Sequence, residues 1–345
     1  MIKNMFKKLL LFFISLFIGI ILLVWIIHFI GWQEIKSAFL IFTGWHGIII
    51  LLLTALMLFL GMWKWKVILK SQGYDLPLQK LTNSYLAGFS LAYLFPLLVF
   101  GGEIFKGYIL KENFSIPWKN GMTSTIIDKI MEATSFLITI FAGLIFFLLK
   151  IGLPPQNIGI ILGGGLLVVS CAIGLFYFKV FKKESMVKLF AKLFNHRKLL
   201  NVEVLEAEKE IFTFFKSRKR ALFVASLLAF ARVAVTWLRC WVLIIFLGES
   251  VAPLSALAIL GFYYFVFMIP IPMALGSHEV IQTFAFGALG LGAGAAPAFT
   301  MIQRAAELFL ALMGMVIFFR FGVDLLKTLI FRKLETIIKE NNNHP

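Results

Sequence analysis

The chain reads as an all-α polytopic membrane protein of about six full spans plus two re-entrant helical hairpins, arranged as an inverted-topology repeat. Three observations lead there. The 345 residues are 61% hydrophobic and only 14% charged, too apolar for any soluble core to absorb. The apolar residues fall into runs long enough to cross a hydrocarbon layer of roughly 30 Å at about 1.5 Å per residue. Two stretches about half the chain apart also carry the same order of breakers and charges. One holds Pro96, Gly101, Gly102 and Glu103, then Lys129 and Glu132; the other holds Pro272, Gly276 and Glu279, then Arg304 and Glu307.

The single membrane domain, 1–345, opens with a first span at 9–30. Lys3, Lys7 and Lys8 precede it as in a signal peptide, but the apolar stretch is too long for one and Gly31-Trp32-Gln33 is no small-residue cleavage site. Repeat 1 covers 47–149, with a span at 47–63, a hairpin over 81–110 and a span at 122–149. A linking span at 158–178 and a basic connector reach residue 220. Repeat 2 covers 221–319, with a span at 221–247, a hairpin over 253–290 and a span at 298–319; a cytoplasmic tail, 320–345, follows. The hairpins rest on 81–95 and 253–269, which are short, stop at a proline and turn through glycine. Proline removes a backbone donor and disfavours helix in the residue before it, and glycine permits the reversal. Pro96, Pro270 and Pro272 therefore break helices that dip in and return.

Charge sets the topology. With cytoplasmic N- and C-termini, the 33 basic residues divide into Lys36 and Lys150 outside, Lys129, Arg232, Arg239 and Arg304 within the membrane, and the remainder, Lys64 and Lys106 included, in cytoplasmic segments. A full span at 81–95 would put the basic connector outside, so the two hairpins enter from opposite faces. Trp63-Lys64-Trp65-Lys66 at an inner end and Trp237, Arg239 and Trp241 near an outer end fit that inversion. Within the connector, Met186, Leu189, Phe190, Leu193 and Phe194 recur at helical spacing among lysines and arginines. They form either an amphipathic helix on anionic headgroups or ordinary topology-fixing charge. The net charge of +16 traces the inner leaflet and gives no support to nucleic acid. Cys171 and Cys240 lie inside apolar runs as packed thiols, with neither a disulfide framework nor metal spacing. No cofactor and no metal are expected.

Inverted repeats built from broken helices near the midplane are the architecture of secondary transporters, although duplication also builds channels and membrane enzymes. An ionised side chain near the bilayer centre costs at least about 2.5–3.5 kcal/mol on insertion scales. Glu103, Asp128, Lys129, Glu132, Glu279, Arg304 and Glu307 must therefore pair, face water or bind something charged. Lys129 with Glu132, and Arg304 with Glu307, stand at i and i+3 and would neutralise one another. Lys129 and Arg304 are also the candidates for an anionic lipid head, since an ammonium offers a point charge and a guanidinium a fixed fork of donors. Backbone donors at the hairpin tips, Gly101, Gly102, Gly276 and Ser277, would complete that site. Glu103 and Glu279 begin the return arms, where a carboxylate complements a helix N-terminus. Alternatively they couple ions, taking a proton on one side and releasing it on the other. His278 would join such a relay or cap the turn.

The stretch Pro96-Leu97-Leu98-Val99-Phe100-Gly101-Gly102-Glu103, the matching Pro270-Ile271-Pro272-Met273-Ala274-Leu275-Gly276-Ser277-His278-Glu279, and Arg304 resemble the flippase-like membrane domain named for the transmembrane region of lysylphosphatidylglycerol synthases. The resemblance covers nearly the whole chain. It implies a lipid-translocating or lipid-handling domain, which in the bifunctional relatives flips an aminoacylated phosphatidylglycerol. The soluble aminoacyl-transferase part of those relatives is expected to be absent, which makes this a stand-alone member. The chain departs from the family's pattern at Lys129, where arginine is usual, and at Ser277-His278, where glycine is common.

The expectation is a transporter and not an enzyme. It would move an anionic phospholipid, glycolipid or polyprenyl-phosphate lipid across a prokaryotic cytoplasmic membrane by alternating access, with or without ion coupling. A membrane-embedded lipid-modifying transferase stays open, with the same carboxylates as general bases, although the sequence has no Asp-rich metal motif, no nucleophile beside a base and no Gly-rich phosphate loop. A non-transporting scaffold for envelope lipid enzymes stays open too.

Overall fold

The computed structural model describes residues 44–94, 101–152, 156–182, 184, 185, 188, 202–267, 277–292 and 295–342. Among them every regular element is a helix: α1 Trp45–Ser71, α2 Leu78–Leu94, α3 Gly101–Phe114, α4 Trp118–Ile151, α5 Gln156–Lys182, α6 Val202–Ser217, α7 Lys219–Phe246, α8 Pro253–Phe267, α9 Ser277–Ala288 and α10 Ala295–Asn342.

Among the described residues five stretches are long and apolar enough to cross a membrane: Trp45–Ser71, Trp118–Ile151, Gly163–Lys182, Lys219–Phe246 and Ala295–Phe321. They coincide with five of the expected spans, and the expected first span at 9–30 lies outside the described residues. The chain is a multi-pass membrane protein. Its lipid-facing surfaces are legible on α1, where Trp45, Ile48, Leu52, Leu56, Phe59 and Trp63 are exposed at intervals of three and four residues, which is one stripe of a helix. The spans stop where glycine allows the chain to turn. Gly152 (φ 90) closes α4 and Gly248 (φ 83) closes α7, a backbone conformation that side-chain-bearing residues avoid.

Between the spans stand two pairs of shorter helices. In the first, Gly102 of α3 lies against the carbonyl of Gly88 of α2, and a Cβ on Gly88 would come within 2.5 Å of Lys106 Cγ. Tyr85, further back along α2, lies beneath Lys106, further along α3, so the two helices run antiparallel. In the second pair Tyr263 and His278 are ring neighbours at 4.8 Å, and Gln282 Nε2 donates to the Ile259 carbonyl at 3.3 Å, so α8 and α9 also run antiparallel. The proline breaks expected at Pro96, Pro270 and Pro272 lie outside the described residues, in the intervals that separate these helices.

α1 packs on α7, α4 on α8 and α10 on α2. The first of these pairs is antiparallel: Trp45 and His46 at the start of α1 meet Phe246 at the end of α7, and Thr54 meets Arg239. The other two bring backbones close. A Cβ on Gly143 of α4 would lie 2.8 Å from the Leu257 carbonyl oxygen and 3.0 Å from Gly261 Cα of α8, and one on Gly314 of α10 would strike the Leu86 carbonyl of α2. A large apolar core built around Phe147, Phe262, Phe286 and Phe299 fills the region around α8. A smaller one around Met57, Met62, Trp65 and Tyr85 lies under α2.

Two features were not anticipated. α10 continues as helix to Asn342, through most of the stretch assigned to a tail. α6, in the connector, buries Ile211, Phe214 and Phe215 against Ile127, Met131 and Val180 and so is a packed element. The amphipathic stretch expected around Met186, Leu189, Phe190, Leu193 and Phe194 lies outside the described residues. Of the two cysteines expected to be packed, Cys240 is buried but Cys171 is exposed, because it faces outward from α5.

Candidate functional site

Among the described residues two clusters of polar side chains occupy the interior, at different levels along the α1–α7 pair. The first is ionic. Asp128 of α4 holds Lys64 of α1 at 3.0 Å and Lys106 of α3 at 3.3 Å; Lys64 also donates to the Asp128 carbonyl at 3.1 Å. Lys106 Nζ stands 5.2 Å from the ring centres of both Trp65 and Tyr85, the geometry in which a ring face stabilises a cation. Trp65 is itself fixed by a 3.1 Å bond from Nε1 to Ser124 Oγ. The next residue of α4, Lys129, pairs with Glu132, one turn along, at 3.1 Å and with Glu103 of α3 at 3.5 Å, and Arg232 of α7 also pairs with Glu132.

The second cluster is organised by one guanidinium. Arg239 of α7 is fully buried. It donates to Glu307 of α10 at 2.8 Å, Gln303 at 3.1 Å, Tyr263 of α8 at 3.2 Å and Thr54 of α1 at 3.1 Å. The Tyr263 hydroxyl donates to the same Glu307 oxygen at 2.6 Å, and Gln303 Nε2 points at Cys240 Sγ at 3.2 Å. A buried fork with this many acceptors fixes the register of α1, α7, α8 and α10 together. Thr54 and Lys64 are ten residues apart on α1, so the clusters stand roughly 15 Å apart along it.

The expected site residues distribute as follows. Glu103, Asp128, Lys129 and Glu132 all lie in the first cluster and Glu307 in the second. Gly101 and Gly102 form the first turn of α3, with Gly102 buried against Gly88. His278 is buried beside the Tyr263 ring. The carbonyl of Arg304 accepts from the Tyr93 hydroxyl at 3.2 Å, which ties α10 to α2. Gly276, Pro96, Pro270 and Pro272 lie outside the described residues, as do the side chains of Ser277 and Glu279. The i, i+3 pairing expected of Lys129 and Glu132 is present. For Glu307 the partners found are Arg239 and Tyr263, from neighbouring helices.

Sequence reasoning missed Lys64, Lys106, Arg232, Arg239, Tyr263 and Gln303. The charge count assigns Lys64 and Lys106 to cytoplasmic segments, yet Lys64 is 1% exposed and Lys106 is buried as well. For Lys106 the reason is steric: Gly88 and Gly102 let α2 and α3 approach closely enough to press it onto Asp128; Lys64 is covered where α1 meets Asp128 of α4. Arg232 and Arg239 were placed within the membrane without a role. Their spacing of seven residues, two turns on one helix face, was the available signal.

Lys129 stands apart from the other charges of the first cluster. Its side chain is 45% exposed, whereas those of Glu103, Asp128 and Lys64 are almost fully enclosed. It therefore reaches an open face while anchored on two carboxylates. Among the described residues no group of three or more His, Cys, Asp or Glu side chains could hold a metal ion.

The family model described as the lysylphosphatidylglycerol synthase TM region matches residues 12–314. No curated protein and no solved structure matches the chain. That match takes in both charge clusters and every candidate residue named above, and the chain belongs to the lysylphosphatidylglycerol synthase transmembrane-region family.

Proposed function

We propose that the chain is a lipid transporter, not an enzyme, in which an anionic lipid head moves past the two charge clusters by alternating access. The observation that carries this reading is Lys129: a half-exposed ammonium held by buried Glu103 and largely enclosed Glu132, about a third of the way along a helix long enough to cross the membrane. A phosphate in a low-dielectric region needs donors, and an ammonium held at an open face can supply them. Arg304, at the equivalent place in the second half, would receive the same head from the other side. The family's tie to membrane lipids agrees with this class of cargo, which takes in phospholipids, glycolipids and polyprenyl-phosphate lipids.

The reading includes an inverted repeat with re-entrant hairpins, cytoplasmic termini and a location in the prokaryotic cytoplasmic membrane. Pairing among the helices supports the repeat. If α1, α2, α3 and α4 exchange with α7, α8, α9 and α10, the contact of α4 with α8 becomes that of α10 with α2, and α1 with α7 maps onto itself. The intervals agree: Lys64 and Arg239, Asp128 and Gln303, Lys129 and Arg304, and Glu132 and Glu307 are each separated by 175 residues. In this scheme Glu103 and Glu279 help neutralise the passage and provide for ion coupling.

The test uses protein reconstituted in vesicles of phosphatidylglycerol and phosphatidylethanolamine, with transbilayer movement of headgroup-labelled lipid as the readout. Lys129→Gln and Arg304→Gln should each abolish protein-dependent movement while the helical circular-dichroism spectrum is retained. Unchanged movement in both variants would remove these residues from the passage. Native mass spectrometry of protein purified with its own lipids should show one anionic lipid class retained by the wild type and lost in both variants.

A further inference from the structure

Among the described ion pairs, one alone joins the first half of the molecule, 47–149, to the second, 221–319: Arg232 of α7 with Glu132 of α4. The pairs of Asp128 with Lys64 and Lys106, and of Lys129 with Glu103 and Glu132, stay within the first half. That of Arg239 with Glu307 stays within the second. The cross-half pair also has no mirror. The residue 175 positions before Arg232 is Met57, which packs in an apolar cluster with Val235 and Leu310, one turn from Glu307. Exchange of the two halves would thus bring a methionine, not a guanidinium, to Glu307. Glu307 is meanwhile held by Arg239 from its own half.

We infer that the Arg232–Glu132 pair is a one-sided latch that sets which face of the membrane the site is open to at rest. The inference rests on the inverted-repeat transport reading and adds its regulation. In an alternating-access protein with two equivalent halves, the inward-open and outward-open states are exchanged images of each other, and only interactions that lack an image can separate their energies. An ion pair buried between helices is such an interaction. Arg232 and Glu132 meet where side-chain exposure is low on both partners, and separating them leaves a guanidinium without its carboxylate in a poorly solvated place. Lys129 is also bound to Glu132. A lipid head that replaces Glu132 as partner of both Lys129 and Arg232 opens the latch. Arrival of the cargo is in this way coupled to release of the halves.

The experiment compares full-length wild type, Arg232→Lys, Arg232→Met, and Arg232→Met combined with Met57→Arg, all in phosphatidylglycerol–phosphatidylethanolamine vesicles. Hydrogen exchange of the α3 peptide (101–114) and the α9 peptide (277–288) reports which hairpin faces water. Wild type and Arg232→Lys should show the same ratio of exchange in the two peptides. Arg232→Met should change that ratio about tenfold, within the usual range of coupling between states, and the variant that moves the cation to residue 57 should invert it. If Arg232→Met alone does not fold, pairing it with Glu132→Gln removes both charges and carries the same expectation. A wild-type ratio in the charge-removed and charge-moved variants overturns the latch. Labelled-lipid movement in the same vesicles separates the two ideas: altered exchange in vesicles where even the wild type moves no lipid keeps the latch and sinks the transport reading. Lipid movement with unaltered exchange does the reverse.

Discussion

In the first half of the molecule a carboxylate, Asp128, sits between two ammonium groups; 175 residues on, an amide, Gln303, sits between a guanidinium and a thiol. The neighbours differ to match. In the 176-residue interval of Glu103 and Glu279, Lys106 corresponds to Gln282; in the 175-residue interval Gly88, whose missing side chain admits Lys106, corresponds to Tyr263, whose hydroxyl binds Glu307. The first half thus resolves its buried charge by stacking ammoniums around one acid. The second needs fewer ions, because neutral amide and phenol groups satisfy one arginine. A duplicated framework keeps the places where polar groups are needed but leaves the choice between ions and neutral hydrogen-bonding groups free. The two choices carry different risks: loss of one ion strands its partners, whereas loss of one neutral group forfeits a single hydrogen bond.

The largest expected effect follows from that contrast. Asp128→Ala removes the carboxylate shared by Lys64 and Lys106 and should destabilise the protein by about 3–5 kcal/mol, read as a collapse of the unfolding temperature in detergent. Gln303→Ala should cost far less, and equal losses would break the comparison. Next, Gly88→Ala puts a Cβ 2.5 Å from Lys106 Cγ and 3.0 Å from the Gly102 carbonyl oxygen. Overpacking of that kind costs about 1–3 kcal/mol, and because the clash is with the Lys106 stem, Gly88→Ala should cost less in a Lys106→Ala background than in the wild type. Tyr263→Phe removes the hydroxyl that donates to Glu307 and accepts from Arg239 while the Arg239–Glu307 pair remains, so a loss of about 1–2 kcal/mol is expected; a loss as large as that of Asp128→Ala would show the second cluster to be as ionic as the first.

The smallest effect belongs to the rim. Lys119 hydrogen-bonds Glu206 at 2.8 Å, and that bond holds the Glu206 carboxyl below the usual carboxylate range. A group with a lowered folded-state pKa stabilises at neutral pH and loses that contribution as pH falls through its folded value. Glu206→Gln should therefore lower the unfolding temperature slightly at pH 7 and leave it unchanged in acid, where wild type and variant converge. The difference should also fade in salt, as befits an exposed pair.

Spans were legible because length and apolarity are properties of a segment on its own, and the same holds for the short apolar segments that form α2 and α8. Glu103, Asp128, Lys129, Glu132 and Glu307 were legible because a charge inside an apolar run announces a partner. Lys64 was hidden by its neighbours: a lysine between two tryptophans near a helix end has the sequence of an interfacial anchor, and only contact with α4 makes it an interior residue. Lys106 was hidden because its burial depends on Gly88, eighteen residues away and on another helix. Arg239 was visible as a charge, but its acceptors come from α1, α8 and α10, and no local spacing links them. What the sequence leaves unread is therefore the partnership between helices.

The close approaches of Gly143 to Gly261 and of Gly314 to Leu86 have a mechanical consequence. Where two helices interlock through large side chains, displacement proceeds in notches of a full turn, each knob lifting out of one hole before it drops into the next. At the glycines themselves there is little to lift, since glycine offers bare backbone, but along the same α4–α8 interface Phe136 stacks on Tyr264 and Phe147 meets Phe262 edge-on. Both contacts bring a helix from one half of the molecule against a helix from the other. Each glycine contact is consequently a pivot between toothed flanks: the helices of the two halves can tilt about it, but to slide past one another they must first lift the flanking rings.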